Sequence, residues 1–211
     1  YQITPNSNAC IGNPFTLIVT VNPTPLIPSQ TQTLCSGNSF SFTPTNNPPN
    51  TLIPSGILYS WGLPVSNPLG SVTGGTTGTI ENTISEGIIT NTTNTAATLV
   101  YSITGNSPQL GACPSNAFTL TVTVNPSPVI GTQNTSICSG LPFTVSPTNN
   151  PPNTVIPNGI NYSWTSPSTP ISITGGSAAN GQLNINGQLT NTSNTNQIAI
   201  YTVTPSSGPN N

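Results

Sequence analysis

The chain repeats itself. Val21-Asn22-Pro23-Thr24-Pro25 recurs as Val124-Asn125-Pro126-Ser127-Pro128, Cys35-Ser36-Gly37 as Cys138-Ser139-Gly140, and Tyr59-Ser60-Trp61 as Tyr162-Ser163-Trp164. The longer run Pro44-Thr45-Asn46-Asn47-Pro48-Pro49-Asn50-Thr51 recurs as Pro147-Thr148-Asn149-Asn150-Pro151-Pro152-Asn153-Thr154, and all four offsets are 103 residues. The offset falls to 101 at Gly74-Gly75 against Gly175-Gly176. It is 100 at Tyr101-Ser102-Ile103-Thr104 against Tyr201-Thr202-Val203-Thr204, which puts the lost residues in loops after Trp61. A period near 100 residues is too long for a solenoid unit and suits an autonomous sandwich domain.

Local pattern agrees with that reading. Phe118, Leu120, Val122 and Val124 alternate with Thr119, Thr121 and Thr123, one apolar and one hydroxyl face of a strand, and Phe15, Leu17, Val19 and Val21 repeat the alternation. Leu99, Tyr101 and Ile103 mark the strand before it, Phe40 and Phe42 an early strand, Tyr59 and Trp61 a middle one. No stretch has a 3.6-residue period, so helix content is expected near zero. The order matches an immunoglobulin-like sandwich, with Phe40 on strand B, Trp61 on C, Tyr101 on F and Phe118–Val124 on G. Tyr59, Trp61, Tyr101, Tyr162, Trp164 and Tyr201 are the expected core aromatics. The expected organisation is 1–20, the last strands of a preceding repeat; 21–123, a complete repeat; and 124–211, a second repeat lacking its last strand. The chain then reads as a window from a longer array. The short Pro-bearing junction at Asn125-Pro126-Ser127-Pro128 should limit bending.

Composition decides what such domains cannot do. Among 211 residues there is no Lys, Arg or His, and the acids number two, Glu81 and Glu86. An average chain carries about a quarter charged residues. General acid–base chemistry needs His, Lys or a positioned carboxylate pair, and a Ser or Cys nucleophile needs a base to activate it. Glu81 and Glu86 are expected to be ordinary solvated carboxylates, and no catalytic residue is predicted. Calcium sites need several carboxylates and tetrahedral zinc needs paired ligands, so neither metal nor cofactor is expected. Nucleic acid and a polybasic membrane contact are excluded on charge. The apolar runs are too short and broken to insert directly into a membrane. Polarity comes from hydroxyls and amides, and with 32% hydrophobic residues the chain can still build a core.

Taken together, the V-N-P-x-P junction, the I/L-C-S-G turn at Leu34–Gly37 and Ile137–Gly140, P-T-N-N-P-P-N-T, Y-S-W, the Gly-Gly pair and the final Y-x-V/I-T strand resemble the PKD-like, immunoglobulin-like tandem repeats of giant cell-surface proteins of the Bacteroidota. The resemblance covers essentially the whole chain. It implies an all-β fold of β-sandwich repeats of about 100 residues, an extracellular place on the bacterial surface, and an adhesive or filamentous role. It also implies export by the type IX secretion system, as for gliding adhesins. Expected partners are neighbouring repeats, other copies in a filament and surface polysaccharide.

Cys10, Cys35, Cys113 and Cys138 fall at two equivalent positions per repeat, each five residues before a Phe. In a secreted protein such regularity favours disulfides. Three pairings are open: Cys35–Cys113 within a repeat, Cys35 with the following repeat's counterpart of Cys113, expected just beyond Asn211, or Cys10–Cys35 and Cys113–Cys138 between sequence neighbours. The absence of Lys and Arg removes every trypsin-type site, forbids Lys–Asn isopeptide braces, and leaves prolines rather than lysines to blunt strand edges, so association into fibres is expected.

Two rival functions rest on particular residues. A carbohydrate-binding module would use Trp61, Trp164, Tyr59 and Tyr162 as exposed platforms, against their expected place in the core. An ice-binding face would use Thr119, Thr121 and Thr123, against the expected solvent side of an ordinary strand. Asn91, Asn134, Asn161 and Asn191 head Asn-x-Ser/Thr triplets and are read as polar loop residues.

Overall fold

The computed structural model describes residues 1–108 and 113–207; residues 208–211, part of the expected 124–211 unit, lie outside the described residues. Described residues form strands and turns and no helix. The first stretch holds four two-residue strands, β1 (Gln2–Ile3), β2 (Asn6–Ser7), β3 (Cys10–Ile11) and β4 (Phe15–Thr16), with β1 pairing β4 and β2 pairing β3. The first repeat continues with β5 (Gln30–Cys35), β6 (Asn38–Phe42), β7 (Leu58–Trp61), β8 (Val65–Asn67), β9 (Val72–Thr73), β10 (Gly78–Glu81), β11 (Ile84–Asn91), β12 (Ala97–Asn106) and β13 (Phe118–Asn125). The second supplies β14 (Pro142–Val145), β15 (Asn161–Trp164), β16 (Ile173–Gly175), β17 (Ala179–Gln182), β18 (Ile185–Asn191) and β19 (Val203–Ser206).

In the first repeat two sheets face each other. One runs β10-β7-β12-β13-β5, with β8 also on β12; the other runs β6-β11-β9. This is the expected immunoglobulin-like division, with β6, β7, β12 and β13 in the places of strands B, C, F and G. Alternation along β13 turns Phe118, Leu120, Val122 and Val124 inward, each at most 4% exposed, where they meet Tyr59, Trp61, Tyr101, Ile84 and Ile89 in one cluster. Phe40 stacks edge-on against Tyr101 at 5.9 Å and Tyr59 against Phe118 at 6.4 Å.

Strands β5, β8, β9, β10 and β11 were not among those read from the sequence. β5 pairs parallel to β13, from Gln30 opposite Leu120 to Cys35 opposite Asn125. On the half-buried face of β5 the amides Gln30 and Gln32 precede Leu34, which packs on the core, so the apolar alternation that marks β13 is missing.

The second repeat builds β14-β18-β16 and β17-β15-β19, and a smaller cluster around Phe143, Tyr162, Trp164 and Ile185. Tyr59, Trp61, Tyr101, Tyr162 and Trp164 are all buried. Tyr201 is half-buried at the margin of its cluster, edge-on to Phe143 at 5.5 Å. Phe15, Leu17, Val19 and Val21 depart from the expected buried face: they are 53%, 44%, 59% and 87% exposed. Only Phe15–Thr16 is in a strand, opposite Gln2–Ile3, because nothing among the described residues offers those four side chains an opposing sheet.

Candidate functional site

The motifs that distinguish the sequence turn out to be turns and braces. In P-T-N-N-P-P-N-T the Asn46 Oδ1 accepts from Ile53 N at 2.8 Å, and Asn149 Oδ1 accepts from Ile156 N at the same distance. Asn47 bridges Thr51 and Asn150 bridges Thr154, so both copies fold one way. The Gly-Gly pair follows from close backbone approach. Gly74 has φ +102° and a Cβ there would lie 2.1 Å from the Ile88 carbonyl oxygen; Gly175 has φ +89° with the Gln188 carbonyl oxygen 2.6 Å away. Only glycine meets both demands.

The aromatic candidates are spent on the core. Trp61 and Trp164 are 6% and 5% exposed. Trp61 Nε1 donates to Thr76 O at 3.1 Å and Trp164 Nε1 to Ser177 O at 3.0 Å, which satisfies the one polar atom of each ring inside the domain. Tyr59 and Tyr162 are buried as well, so none of the four residues nominated for a sugar platform is at the surface.

The two carboxylates part company, and the expectation for one of them needs correcting. Glu81 is exposed near the end of β10, but Glu86 is 6% exposed on β11. Its Oε1 accepts from Thr76 N at 3.0 Å and its Oε2 from Thr76 Oγ1 at 2.7 Å. A buried carboxylate persists only when hydrogen bonds replace its water, and Thr76 supplies two of them. The Tyr101 hydroxyl is buried without a hydrogen bond of ordinary geometry; burial first, then the nearby Glu86 carboxylate, push its pKa up. Burial alone raises Tyr59, Tyr162 and Tyr201. By register Glu86 stands opposite Phe40 where the second repeat has Gly187 opposite Phe143, so the carboxylate belongs to one repeat and not to a shared site. Spacing alone could not reveal its burial, because Glu86 lies in a polar stretch, Asn82-Thr83-Ile84-Ser85, whose strand is irregular between Glu86 and Ile89.

Asn91 was read as a loop residue. It is 3% exposed at the end of β11, and its Nδ2 donates to Thr95 O and to Val124 O, both at 2.8 Å, while its Oδ1 accepts from Thr93 N at 2.9 Å. Asn191 makes the Thr195 and Ser193 equivalents of these bonds. The triplet signal at both positions is thus a loop clamp, and a buried Asn91 amide is closed to glycan attachment.

The hydroxyls form a grid on the outer face. Thr121 pairs Thr31 and Val100, Thr123 pairs Thr33 and Thr98, and Ser29 Oγ lies 2.8 Å from Thr119 Oγ1. Adjacent strands rotate by roughly 20–25° relative to one another, so the rows are twisted, as on the wet side of any such sheet.

Cys10, Cys35 and Cys138 are exposed and Cys113 is half-buried; no disulfide is formed among the described residues. Register rules out Cys35–Cys113. Cys35 lies opposite Asn125 at the exit of β13, whereas Cys113 lies before its entry at Phe118, next to the Asn106–Pro114 bridge. A strand of that length spans about 23 Å at about 3.3 Å per residue, against the roughly 4.4–6.8 Å between Cα atoms that a bond allows.

No cluster of three or more His, Cys, Asp or Glu with metal-binding geometry occurs among the described residues. A surface depression of about 310 Å³ beside β8 and β9 is lined by Pro64, Val65, Leu69, Val72 and Leu99 with no titratable group. A family model described as PKD-like domain matches residues 1–25, 32–128 and 135–210. No curated protein and no solved structure matches the chain.

Proposed function

The chain belongs to the PKD-like domain family, and from that premise we propose that it is a semi-rigid, protease-resistant rod segment of an adhesive protein on the bacterial cell surface. Its units are 21–123 and 124–211, preceded by the end of another repeat at 1–20. In this reading the folded domains hold length and stiffness, and recognition of a ligand such as surface polysaccharide belongs to other parts of the protein.

The observation that carries the proposal is the junction. As β13 ends, Ser36 N donates to Asn125 O at 2.8 Å, and Ser127 Oγ donates to Ser36 O at 2.7 Å. Pro126 is fully buried. Val129 then bridges Val155 of the second repeat. Only Pro128 lies between the clamp on one repeat and the ladder of the next, and proline fixes its own φ. A connection held this way resists bending, where a Gly/Ser linker would leave the two repeats free. Cys35 opens onto this same pole, so a bond from it to the following repeat's counterpart of Cys113 would reinforce the junction covalently.

Small-angle scattering on dilute protein tests stiffness. The expected distance distribution has two distinct maxima that survive in wild type and blur when Pro126 and Ser127 are both replaced by Gly. A wild-type profile already as broad as that of the double variant would overturn the rod. Digestion of native protein by a broad-specificity protease tests resistance; rapid cleavage at 125–128 would defeat that part of the reading.

A further inference from the structure

The second repeat carries three Asn-Gly pairs, Asn158-Gly159, Asn180-Gly181 and Asn186-Gly187, and the first repeat carries none. All three asparagines are exposed. Asparagine before glycine leaves a side-chain amide open to attack by the next main-chain nitrogen, because glycine has no Cβ to screen that nitrogen.

One of the three is built differently. Tyr162 pairs Gln182 and Trp164 pairs Ala179, so Asn180 and Gly181 together stand opposite Ser163 alone, as a bulge in β17. Gly181 is left-handed there, at φ +66°, and a Cβ on it would meet nothing within 4 Å. The Ser163 hydroxyl joins the two residues: its Oγ accepts from Gly181 N at 3.1 Å and donates to Asn180 Oδ1 at 2.6 Å. One hydroxyl thus touches both the nucleophile and the carbonyl it would attack. Among the described residues no hydroxyl bridges the other two pairs in this way, and Asn186 Nδ2 donates to Asn184 O instead. The first repeat has the same scaffold without the reactive pair. Thr79 and Ile80 stand opposite Ser60, between the Gly78–Trp61 and Glu81–Tyr59 pairs, with Ile80 at φ +61° and its N donating to Ser60 Oγ at 3.1 Å. The bulge is therefore a property of both repeats and owes nothing to either end of the chain.

We propose that Asn180-Gly181 is a self-modification site, in which the Ser163 hydroxyl relays the protons that convert Asn180 to a succinimide, and water then converts the succinimide to aspartate or isoaspartate. The Gly181 nitrogen bonds to Asn180 Cγ as its proton passes to Ser163 Oγ and the Ser163 proton passes to Oδ1. When that tetrahedral centre collapses, the Oδ1 proton moves to Nδ2, the Cγ–Nδ2 bond breaks and ammonia leaves. Water opens the ring at Cγ to give aspartate, or at the main-chain carbonyl to give isoaspartate. Nothing is oxidised or reduced, and the serine is regenerated. A hydroxyl so placed moves both protons in a chain that has no His or Lys to act as base. The product adds one carboxylate, on an edge strand, to a chain whose formal net charge is −2. The proposal does not depend on the rod reading.

Peptide mapping by mass spectrometry tests it, on the 211-residue protein aged at neutral pH and cut with chymotrypsin. The mass gain of amide-to-acid conversion and the isoaspartyl linkage are read at each of the three sites. Native Asn180 should convert at least about tenfold faster than Asn186. Ser163→Ala should slow Asn180 at least about tenfold and leave Asn158 and Asn186 unchanged, whereas Ser163→Thr, which keeps the hydroxyl, should hold the wild-type rate. In denaturant the three sites should convert at similar rates with or without Ser163. Thr79→Asn with Ile80→Gly should confer the reaction on the first repeat, and adding Ser60→Ala should remove it there. If Ser163→Ala unfolds its repeat, all three rates converge on the denatured values and the transplanted pair beside Ser60 decides. An Asn180 no faster than Asn186 in native protein, a rate equal or higher after Ser163→Ala in folded protein, or a transplanted pair indifferent to Ser60 would each make the hydroxyl a lock and overturn the proposal.

Discussion

Tyr59-Ser60-Trp61 and Tyr162-Ser163-Trp164 do the same thing in the two repeats: Tyr and Trp point inward, and the indole donates to a carbonyl in the loop beyond. A few residues further on the repeats diverge. Ala97–Ile103 is continuous strand with Leu99, Tyr101 and Ile103 at 3%, 0% and 0% exposure. The corresponding Gln197–Thr202 makes a single bridge, Ser168 to Ile200, and Tyr201 stays half-buried. The missing ingredient is the partner on both sides, β13. Strands β14 to β19 form without it; Gln133–Cys138 and Gln197–Thr202, beside the position it occupies, do not become strands. A strand's conformation here is a property of the pair, because an isolated extended segment gains neither ladder bonds nor a covered face.

The sharpest way to break this comparison is to weaken β13 itself. Leu120→Ala removes a side chain with no exposed surface and leaves a cavity between the sheets, at a cost of about 4 kcal/mol. Leu17→Ala, the same substitution at 44% exposure, should change stability of the monomer by less than about 0.5 kcal/mol. Denaturant unfolding followed by Trp61 fluorescence in a Trp164→Phe background reads the first repeat alone. A loss under about 1 kcal/mol for Leu120→Ala would mean that β13 does not close the core.

Asn91 and Asn191 give the next largest contrast. They share the loop clamp to Thr95 or Thr195, but only Asn91 reaches across to β13, at Val124 O. Asn91→Ala leaves that buried carbonyl without its partner and should cost about 3 kcal/mol, and Asn191→Ala about 1 kcal/mol. Equal losses at the two positions would show that the Val124 bond carries nothing.

How far the sequence foretells all this depends on what each signal reports. The 103-residue offset and the alternation of Phe118–Val124 report a period and an apolar face, and both translate directly into repeat and strand. Trp61 and Tyr59 are legible as core because two large aromatics at alternate positions share one face of a strand and carry the area that gains most from burial. β5 is not legible, since Gln30 and Gln32 leave Leu34 as the one hydrophobic residue on its half-buried face. Phe15–Val21 is legible as a strand pattern yet exposed in fact, because a pattern cannot say whether its partner is at hand. Glu86 is the reverse case: its carboxylate is held by Thr76, ten residues earlier, and hydrogen bonding between segments leaves no periodic trace.

A third contrast is silent at neutral pH and opens in alkali. With no His in the chain, nothing of that kind titrates between about pH 5 and 8. The tyrosines behave differently. Burial raises Tyr59 and Tyr101 in the folded first repeat, and the Glu86 carboxylate adds to the rise at Tyr101. Unfolded tyrosine ionises near pH ~10. A group whose pKa is raised on folding contributes stability that is complete below its unfolded value and disappears as pH climbs through the folded one. Both repeats should therefore hold constant stability up to about pH 9.5 and lose it above about pH 10. The first repeat, whose two tyrosines are the more deeply enclosed, should lose more per pH step. Tyrosinate absorbance alongside circular dichroism checks this: in the first repeat tyrosinate should appear only with loss of strand signal. Free ionisation of Tyr101 near pH ~10 in folded protein would refute its enclosure.

Salt should have the smallest effect, and its near absence is informative. Coulombic contributions between exposed groups are what added salt screens, over a Debye length of about 10 Å at 0.1 M. With two carboxylates and no basic side chain, neither repeat has side-chain ion pairs to lose, and the one buried carboxylate is held by Thr76. Raising sodium chloride from about 0.05 to 0.5 M should move the unfolding free energy of either repeat by less than about 0.5 kcal/mol. Because Glu86 lies in the first repeat and Gly187 at its place in the second, any real electrostatic strain would appear as a salt effect confined to the first. A shift there larger than about 1 kcal/mol, with the second unmoved, would show that Glu86 is held against unscreened repulsion rather than satisfied by its hydrogen bonds. Equal indifference in both repeats would leave hydrogen bonding and β13 as the terms that separate them.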